Sequence, residues 1–364
     1  MKKLLLLGAG HAQLSVLETL ARQRIAGGDT LLVTPHPRLL YSGMLPGLIA
    51  GRYAEDEASI DILSLARAAG IHLRLGSAVA LDAAARQVTL ADGEQIGYDV
   101  LSIDTGPTQD RERIPGAREH ALFVRPIESF LALWQPTRAL ADERPLSVVM
   151  IGGGAAGVEL VLAMRVALGQ RAELSLVAED GVLANHAEAA RRRAVAALRR
   201  AKVQVLPGRC NAIERKHVVI GDSMRLVCDV PIVATGSDAP AWLAGSGLAL
   251  DERGFVRVGA TLQSASHANV LAAGDVIVRD DAPHPRSGVY ALRAGEVLAA
   301  NLRALVAGGA LAPYVPQARA LYLLSTGDGR AIASWGAWSA QGRLLGWWKD
   351  RIDRAFIARF RQRP

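Results

Sequence analysis

Glycines spaced to admit a phosphate group occur in the middle of the chain. Gly152-x-Gly154-x-x-Gly157 follows the apolar run 148–151 and opens a helix-forming stretch. A diphosphate needs backbone N–H donors and a close approach of the main chain, and the positive end of a helix dipole favours its charge. Dinucleotides require this strand, turn and helix context. The sequence therefore predicts a dinucleotide site at this turn, which includes Ala155.

A carboxylate suited to a ribose follows this turn. Glu179 stands at the end of the next predicted strand, 22 residues after Gly157. A carboxylate there accepts hydrogen bonds from both ribose hydroxyls and repels a 2′-phosphate, which favours NADH over NADPH. Three neighbouring arginines keep NADPH open as the alternative, although a solvated helix face also accounts for them. They are Arg191, Arg192 and Arg193.

A second, less regular glycine turn lies near the start of the chain. Gly8-x-Gly10 follows the apolar run 4–7, but Gln13 stands where a third glycine would allow close packing of the helix. No carboxylate follows the next strand, which continues into Thr34, a proline and a histidine. Alone, such a turn serves structure as often as binding.

The motif Gly274-Asp275 strengthens the case for the first turn. It follows the apolar strand 270–273. An aspartate at the end of a returning strand can bind the ribityl or diphosphate part of a flavin dinucleotide. The alternative for Asp275 is an N-cap of the next helix, a role compatible with binding. Together with the turn near the N-terminus, this motif predicts a flavin site beside the nicotinamide site.

Hydride transfer requires few catalytic side chains, because the cofactors carry the chemistry and the protein supplies geometry and water exclusion. Glu159 could orient the carboxamide or hold a proton, and an interdomain carboxylate is the alternative. No Ser-His-Asp arrangement and no metal-ligand cluster is predicted. Cys210 and Cys228 form no CxxC pair, which excludes a redox disulfide within a short loop and indicates structural thiols in a reducing compartment.

The bulk composition is that of a globular protein with two or three domains. The 364 residues carry a net charge of +7 and are 50% hydrophobic. No nucleic-acid module is recognised and only 5% of residues are aromatic, so nucleic acid is not an expected partner. Residues 1–7 imitate a signal peptide but are predicted as a strand, because the apolar stretch breaks at Gly8. No apolar run approaches the ~20 residues of a membrane span, and a cytoplasmic protein is expected.

Two matching units must position these groups. Each half contains a strand, a glycine turn, a helix and a strand, and each closes on a strand followed by Thr-Gly, at Thr105-Gly106 and Thr235-Gly236. The expected fold class is α/β, with two Rossmann-like dinucleotide-binding domains that each carry a short antiparallel insert. In the second half, 203–206, 218–220 and 230–234 are expected to be strands in an arrangement that corresponds to that of 87–90 and 98–103 in the first half. The expected domains are 1–110 with 245–308, then 111–244, and then a hairpin and helix over 309–364.

The last segment is predicted as a hairpin, 321–324 with 331–335, followed by an amphipathic helix. Five apolar residues fall near one face of that helix. They are Leu345, Trp348, Ile352, Phe356 and Phe360. Such a helix suits a membrane interface, or docking on its own protein or on a partner, and the neighbouring acidic residues favour docking.

Together these motifs resemble the two-dinucleotide-domain flavoproteins of the pyridine nucleotide-disulfide oxidoreductase superfamily, in the branch without a redox disulfide that includes type II NADH dehydrogenases. The resemblance covers nearly the whole chain. Within this branch, the sequence is most similar to the FAD-dependent oxidoreductase fused to or associated with selenide, water dikinase. The segments that carry this likeness are 8–12, 41–51, 325–328 and 348–354.

The resemblance implies FAD along the first domain and NAD(P)H, with NADH favoured, along the second. The FAD diphosphate would lie at the first glycine turn, the ribityl chain near Asp275 and the ring near Met44. The implied FAD contacts are Gly8, Gly10, His11, Ala12, Thr34, Met44, Leu45, Pro46, Val79, Thr105, Gly106, Gly274, Asp275, Tyr290 and Ala291. The implied NAD(P)H contacts are Gly152, Gly154, Ala155, Gly157, Glu179, Thr235 and Gly236, with Glu159 as the catalytic candidate.

The electron acceptor is less defined than the donor. The type II NADH dehydrogenases imply a glutamine-bearing helical turn beside the flavin, but the matching stretch 288–295 contains no glutamine. A quinone, a selenium or sulfur species, oxygen and another protein all remain as acceptors. The alternatives are a flavoprotein sensor or partner in selenium metabolism and a nicotinamide-only dehydrogenase. Further expected partners are the inner face of the membrane, selenide, water dikinase and a second copy of the chain.

Overall fold

The computed structural model describes residues 1–25 and 27–361. The first part of the chain forms β1 (Lys2–Leu7), α1 (His11–Arg22), β2 (Gly28–Thr34), β3 (Arg38–Leu40), α2 (Leu45–Ile49), β4 (Ser59–Asp61), α3 (Ile62–Ala69), β5 (His72–Leu75), β6 (Ala78–Asp82), β7 (Gln87–Leu90), β8 (Gln95–Gly97) and β9 (Val100–Ile103). A 3₁₀ turn, Ser42–Met44, precedes α2.

The middle of the chain forms α4 (Ala117–His120), β10 (Leu122–Phe123), α5 (Ile127–Glu143), β11 (Leu146–Ile151), α6 (Ala155–Leu168), β12 (Ala172–Ala178), α7 (Glu188–Arg200), β13 (Val203–Pro207), β14 (Cys210–Glu214), β15 (His217–Ile220), β16 (Met224–Val227) and β17 (Val230–Val233). The last part forms β18 (Val256–Arg257), β19 (Val270–Ala272), β20 (Ile277–Val278), α8 (Gly288–Ala307), β21 (Tyr322–Ser325), β22 (Ala331–Trp335), β23 (Trp338–Gly342) and α9 (Arg343–Phe360).

Two five-stranded parallel sheets form the frame of the molecule. The first has the order β19-β9-β1-β2-β5 and the second the order β10-β17-β11-β12-β13. In β1 the run Leu4, Leu5, Leu6 and Leu7 is almost wholly buried, as expected for a central parallel strand covered on both faces. The predicted α/β fold with two Rossmann-like sheets is confirmed, and the signal-like start is a strand.

The antiparallel insert expected in the second half is confirmed. Residues 218–220 lie in β15, which pairs antiparallel with β14 and β16. Its two connections are only two and three residues long, whereas a parallel crossover needs a dozen or more. The three-stranded sheet β6-β7-β8 is the corresponding antiparallel insert of the first half.

The C-terminal region differs from the prediction in two ways. The hairpin gains a third strand, β23, which pairs antiparallel with β22. The apolar face of α9 is only partly covered, because Trp348 and Ile352 are 43% and 42% exposed, and the polar Asp353 is buried. Phe360 is buried as expected. Residues 362–364 of the predicted region lie outside the described residues.

The C-terminal region packs on both units. Leu324 of β21 and Ile332 of β22 belong to the apolar core of the second sheet. Ile357 and Phe360 of α9 belong to the core of the first sheet. This region therefore contacts both sheets. In each unit, the glycine turn follows the C-terminal end of a central strand, β1 or β11.

Candidate functional site

The first glycine turn is built on Asp104. Gly8 has a positive φ of 89°, and Gly10 stands in extended backbone as the N-cap of α1. A Cβ atom at Gly8 would overlap the Asp104 carbonyl, and one at Gly10 would overlap the Asp104 carboxylate. Only glycine fits at both positions. The turn brings the main chain to the N-terminus of α1, where the helix dipole stabilises an anion.

Gln13, which stands in place of a third glycine, is fully buried. Its side-chain amide donates to the carbonyl oxygens of Leu7 at 3.0 Å and Ser102 at 3.2 Å. These bonds tie α1 to the ends of β1 and β9. Gln13 therefore replaces the close glycine contact by a pair of hydrogen bonds and leaves the turn intact.

Several buried polar atoms around this turn have no hydrogen-bond partner within residues 1–25 and 27–361. They include His11 Nε2, Thr105 Oγ1 and Asp275 Oδ1. Burying polar atoms without partners is costly, so the set fits a bound polar ligand. Burial lowers the pKa of His11 to about 4, so its imidazole is neutral at pH 7.

Arg125 joins this group, although the sequence analysis did not single it out. It follows β10, and its backbone N–H donates to Gln109 Oε1 at 2.9 Å. The positive charge of Arg125 lies close enough to lower the pKa of both His11 and Asp275, against the larger effect of burial on Asp275. A cation at this place suits a diphosphate. No local sequence pattern marked Arg125, because tertiary contacts alone bring it to the first turn.

The second glycine turn has the expected close contacts. Gly152 has a φ of 125°, and a Cβ atom there would lie 2.6 Å from the Ala234 carbonyl oxygen. A Cβ atom at Gly157 would overlap the Gly152 carbonyl, so the third glycine permits the helix to pack on the turn. Gly154 is the N-cap of α6, and its surroundings are open. This turn presents an accessible helix N-terminus to a diphosphate.

The other predicted contacts divide into buried and surface residues. Those close to the first turn or buried beside it are Ala12, Thr34, Met44, Leu45, Pro46, Gly274, Tyr290 and Ala291. Val79 is 49% exposed on β6, and Glu179 is exposed just beyond β12. Gly106, Thr235 and Gly236 lie in the loops that follow β9 and β17. The structure thus brings most of the predicted residues to the two turns and leaves Val79 and Glu179 at the surface.

A buried charged cluster lies against the predicted ring end of the first site. Lys349 of α9 donates through Nζ to the Gly43 carbonyl and to Asp353 Oδ2, both at 2.7 Å. The Lys349 and Asp353 side chains are 13% and 6% exposed. The Asp353 carboxylate also lies beside the Tyr41 hydroxyl. We call Tyr41, Glu159, Lys349 and Asp353 the acceptor cluster, and only Glu159 of these was a predicted site residue.

Glu159 belongs to this cluster although it lies on α6 of the second unit. Its carboxylate accepts a hydrogen bond from the Ser325 backbone N–H at 2.6 Å. Burial raises the pKa of Glu159 to about 7, and the nearby Lys349 ammonium opposes that rise. The group can therefore hold or release a proton near neutral pH.

Comparison with known proteins decides the family. Residues 2–295 match the pyridine nucleotide-disulphide oxidoreductases. The chain belongs to this family. It is 25% identical over 316 residues to the demethylphylloquinone reductase NdbB of Synechocystis, which covers 82% of this chain and 78% of that protein.

Solved structures share the fold of this pyridine nucleotide-disulphide oxidoreductase. The sulfide:quinone oxidoreductase of Aquifex aeolicus matches with a TM-score of 0.83 at 18% identity, over 99% of this chain and 92% of that one. NDH2 from Plasmodium falciparum in complex with NADH matches with a TM-score of 0.82 at 13% identity, over 98% and 97%.

The family membership makes the chain an FAD-dependent NAD(P)H oxidoreductase. The first site fits FAD, because it combines a glycine turn at a helix N-terminus with unpartnered buried polar atoms and the Arg125 cation. The second turn fits NAD(P)H by its open helix N-terminus. The type II NADH dehydrogenase-like relatives agree with the predicted resemblance.

The family is named for a disulphide, but the two cysteines of this chain are free. Cys210 and Cys228 are buried in one apolar cluster of the second unit. Burial raises the pKa of Cys210 to about 11 and that of Cys228 to about 12, so both are unreactive thiols at neutral pH.

Within residues 1–25 and 27–361, no helix is both long enough and apolar enough to cross a membrane. Nor do three or more His, Cys, Asp or Glu side chains meet there in a group that could hold a metal ion.

Proposed function

We propose that this oxidoreductase takes a hydride from NADH in preference to NADPH and passes two electrons to a quinone. The overall change is NADH + H⁺ + quinone → NAD⁺ + quinol, which consumes one proton beyond the hydride. The acceptor cluster carries this proposal, because it places a titrating carboxyl group in a buried position where the predicted ring end of FAD and α9 meet.

The donor preference is argued from Glu179. Its exposed position just after β12 leaves the carboxylate available to ribose hydroxyls and unfavourable to a 2′-phosphate. The cation that would favour NADPH is Arg191. Its guanidinium lies near Gly181, which is in the same loop as Glu179, and it contacts Glu188 at 3.4 Å. We infer that the Glu179 carboxylate decides the preference for NADH, because the Arg191 charge is already paired with Glu188.

The chain's residues bind, orient and exclude water. Arg125, His11 and Asp275 would hold FAD, which supplies the hydride-accepting centre when bound. Met44 and Leu45 are buried where the two cores meet and would keep water from the ring. Lys349 fixes the turn that carries Met44 by bonding to the Gly43 carbonyl.

The proton balance favours a quinone over a one-electron protein acceptor. Reduction of an iron–sulfur protein consumes no proton, whereas a quinone needs one in addition to the hydride equivalent. Glu159 can supply that proton because its pKa lies near 7, and Lys349 stabilises the carboxylate that remains. The relative named demethylphylloquinone reductase acts on an acceptor of this chemical class.

A peripheral contact with the inner face of the membrane is part of the proposal. The C-terminal region exposes several large apolar side chains. They are Trp335, Trp338, Leu344, Trp347, Trp348 and Ile352. Arg351 lies 5.3 Å from the Trp347 ring centroid, and tryptophan beside arginine suits the boundary between lipid headgroups and acyl chains. A quinone dissolved in lipid would then reach α9 directly.

Anaerobic mixing tests the function in two steps. The purified holoenzyme is mixed with NADH or NADPH, and flavin bleaching is followed; the reduced protein is then mixed with a short-chain quinone or with a ferredoxin. We expect faster bleaching with NADH and reoxidation by the quinone, and Glu179→Gln should narrow the difference between NADH and NADPH, with Asp180→Asn as the matched control. Reoxidation by ferredoxin alone would overturn the quinone assignment.

The same experiment addresses the alternative of a sensor or partner in selenium metabolism. Absence of bleaching with both nucleotides would favour it. The association with selenide, water dikinase rests on the sequence resemblance, and it would be tested by size-exclusion chromatography of the two purified proteins together. The chain alone in that experiment tests the homodimer.

A further inference from the structure

The two glycine turns differ at two positions that touch each other. The second turn has Gly157 and Ala234, and the matching positions of the first hold Gln13 and Asp104. The Gln13 backbone N–H donates to Asp104 Oδ2 at 2.9 Å. The first turn therefore contains a buried carboxylate where the second has a methyl group.

Asp104 is 2% exposed and lies at the meeting point of three glycines. Cβ atoms at Gly10 and Gly274 would overlap its carboxylate, and one at Gly8 would overlap its carbonyl oxygen. In the second turn, a Cβ atom at Gly154 would meet nothing within 4 Å. The Asp104 carboxylate thus lies at the N-terminus of α1, next to the place where the FAD diphosphate is expected to bind.

An ionised carboxylate in this position conflicts with a bound diphosphate. Its negative charge would offset the positive potential of the N-terminus of α1. It would also repel the diphosphate strongly, because water screens charges poorly in the protein interior. A neutral carboxyl group removes both effects. We propose that Asp104 is a positioning residue of the FAD site that carries a proton when the diphosphate binds, so that FAD binding takes up one proton from solvent.

The groups around Asp104 support this inference, which rests on FAD binding at the first turn. Burial raises the pKa of Asp104 to about 7, the Gln13 N–H opposes the rise, and the Asp275 carboxylate adds to it. A diphosphate would raise it further. The positively charged groups that act on the neighbouring Asp275 are Arg125 after β10, and His284 and Arg286 before α8. His11, with its pKa near 4, stays neutral throughout the range in which Asp104 titrates.

Calorimetry of FAD binding to the apoprotein tests the proposal. Titrations at pH 8 in buffers of different ionisation enthalpy give the number of protons taken up per FAD. For the unmodified protein we expect a value approaching about one, and a dissociation constant that rises about fivefold between pH 7 and pH 8. Asp104→Asn and Asp104→Ala should show no such uptake and a dissociation constant that changes little with pH. Asp104→Ala places in the first turn the residue that the second turn has at this position.

Asp222→Asn is the matched control, because it removes an exposed carboxylate in the antiparallel insert of the second unit and should keep the full uptake. Thermal unfolding of each apoprotein shows that the variants are folded. The proposal is overturned if the unmodified protein takes up no proton, or if Asp104→Asn takes up as many as the unmodified protein. Absence of FAD binding in every form would instead contradict the cofactor on which the proposed function depends.

Discussion

The Lys349 ammonium and the Asp353 carboxylate form a buried ion pair at 2.7 Å, one turn apart on α9. The same ammonium donates to the Gly43 carbonyl, so the pair fixes the last helix on the turn that carries Met44. Because Glu159 lies within the same cluster, the proposed function assigns α9 and this ion pair to the acceptor side of the site.

Lys349→Met should slow the reoxidation of the reduced enzyme by a short-chain quinone more than its reduction by NADH. We expect a loss of about tenfold to a hundredfold in the quinone step, because a positioned charge or proton donor at a reacting group contributes at least this much. Anaerobic stopped-flow absorbance measures the two steps separately. Arg351→Met, on the same helix but exposed, is the control. Equal losses in both steps would show that Lys349 acts only by holding the fold.

Glu159→Gln should change how stability depends on pH. Burial raises the pKa of Glu159 from 4.5 to about 7, so its stabilising contribution is complete below pH 4.5 and is lost as the pH rises through 7. The variant cannot ionise, and its stability relative to the unmodified protein should increase from pH 5 to pH 8 by on the order of 3 kcal/mol. Thermal unfolding across this range measures the difference. Glu143→Gln, at an exposed position, should show no such difference. If the stability of Glu159→Gln changes with pH in the same way as that of the unmodified protein, the raised pKa of Glu159 is contradicted.

Local patterns were sufficient to predict the fold and the two turns. Each turn combines a buried strand, glycines and a helix within a few residues, and the Gly274-Asp275 motif is equally local. The short antiparallel insert that contains 218–220 was equally predictable, because strands joined by short turns pair antiparallel.

Residues brought together from distant parts of the chain could not be predicted in this way. Arg125 and Asp353 lie far in sequence from His11 and Tyr41, to which they are close in space. On α9 the apolar period placed Trp348 and Phe360 near one face, but the structure exposes Trp348 and buries Asp353. Asp353 can face inward because it bonds to Lys349 on the same helix and lies beside Tyr41, and periodicity contains no information about such partners.

Arg125→Gln should weaken FAD binding by about tenfold or more. The guanidinium lies near His11 and Asp275, and charge-assisted hydrogen bonds to a phosphate contribute about 1.5–3 kcal/mol. Calorimetric titration of the apoprotein with FAD gives the dissociation constant. Arg138→Gln, at an exposed position of α5, should leave it unchanged. If Arg125→Gln binds FAD as tightly as the unmodified protein, the cation does not contact the cofactor.

Replacing Trp347 and Trp348 by serine should reduce binding to lipid vesicles. The two indole rings are 60% and 43% exposed, and Arg351 lies beside them, so both apolar transfer and attraction to anionic lipid favour this surface. Each ring that enters the interface contributes enough for about a tenfold change in partitioning. Co-flotation of the holoenzyme with vesicles of phosphatidylglycerol and phosphatidylcholine measures it at low salt. Val315→Ser removes an apolar side chain that is even more exposed, at 81%, elsewhere on the molecule and should have no effect. Because the tryptophans lie outside the acceptor cluster, the double variant should keep its turnover with a water-soluble quinone. If the double variant still binds vesicles as well as the unmodified protein does, the membrane contact lies elsewhere on the molecule.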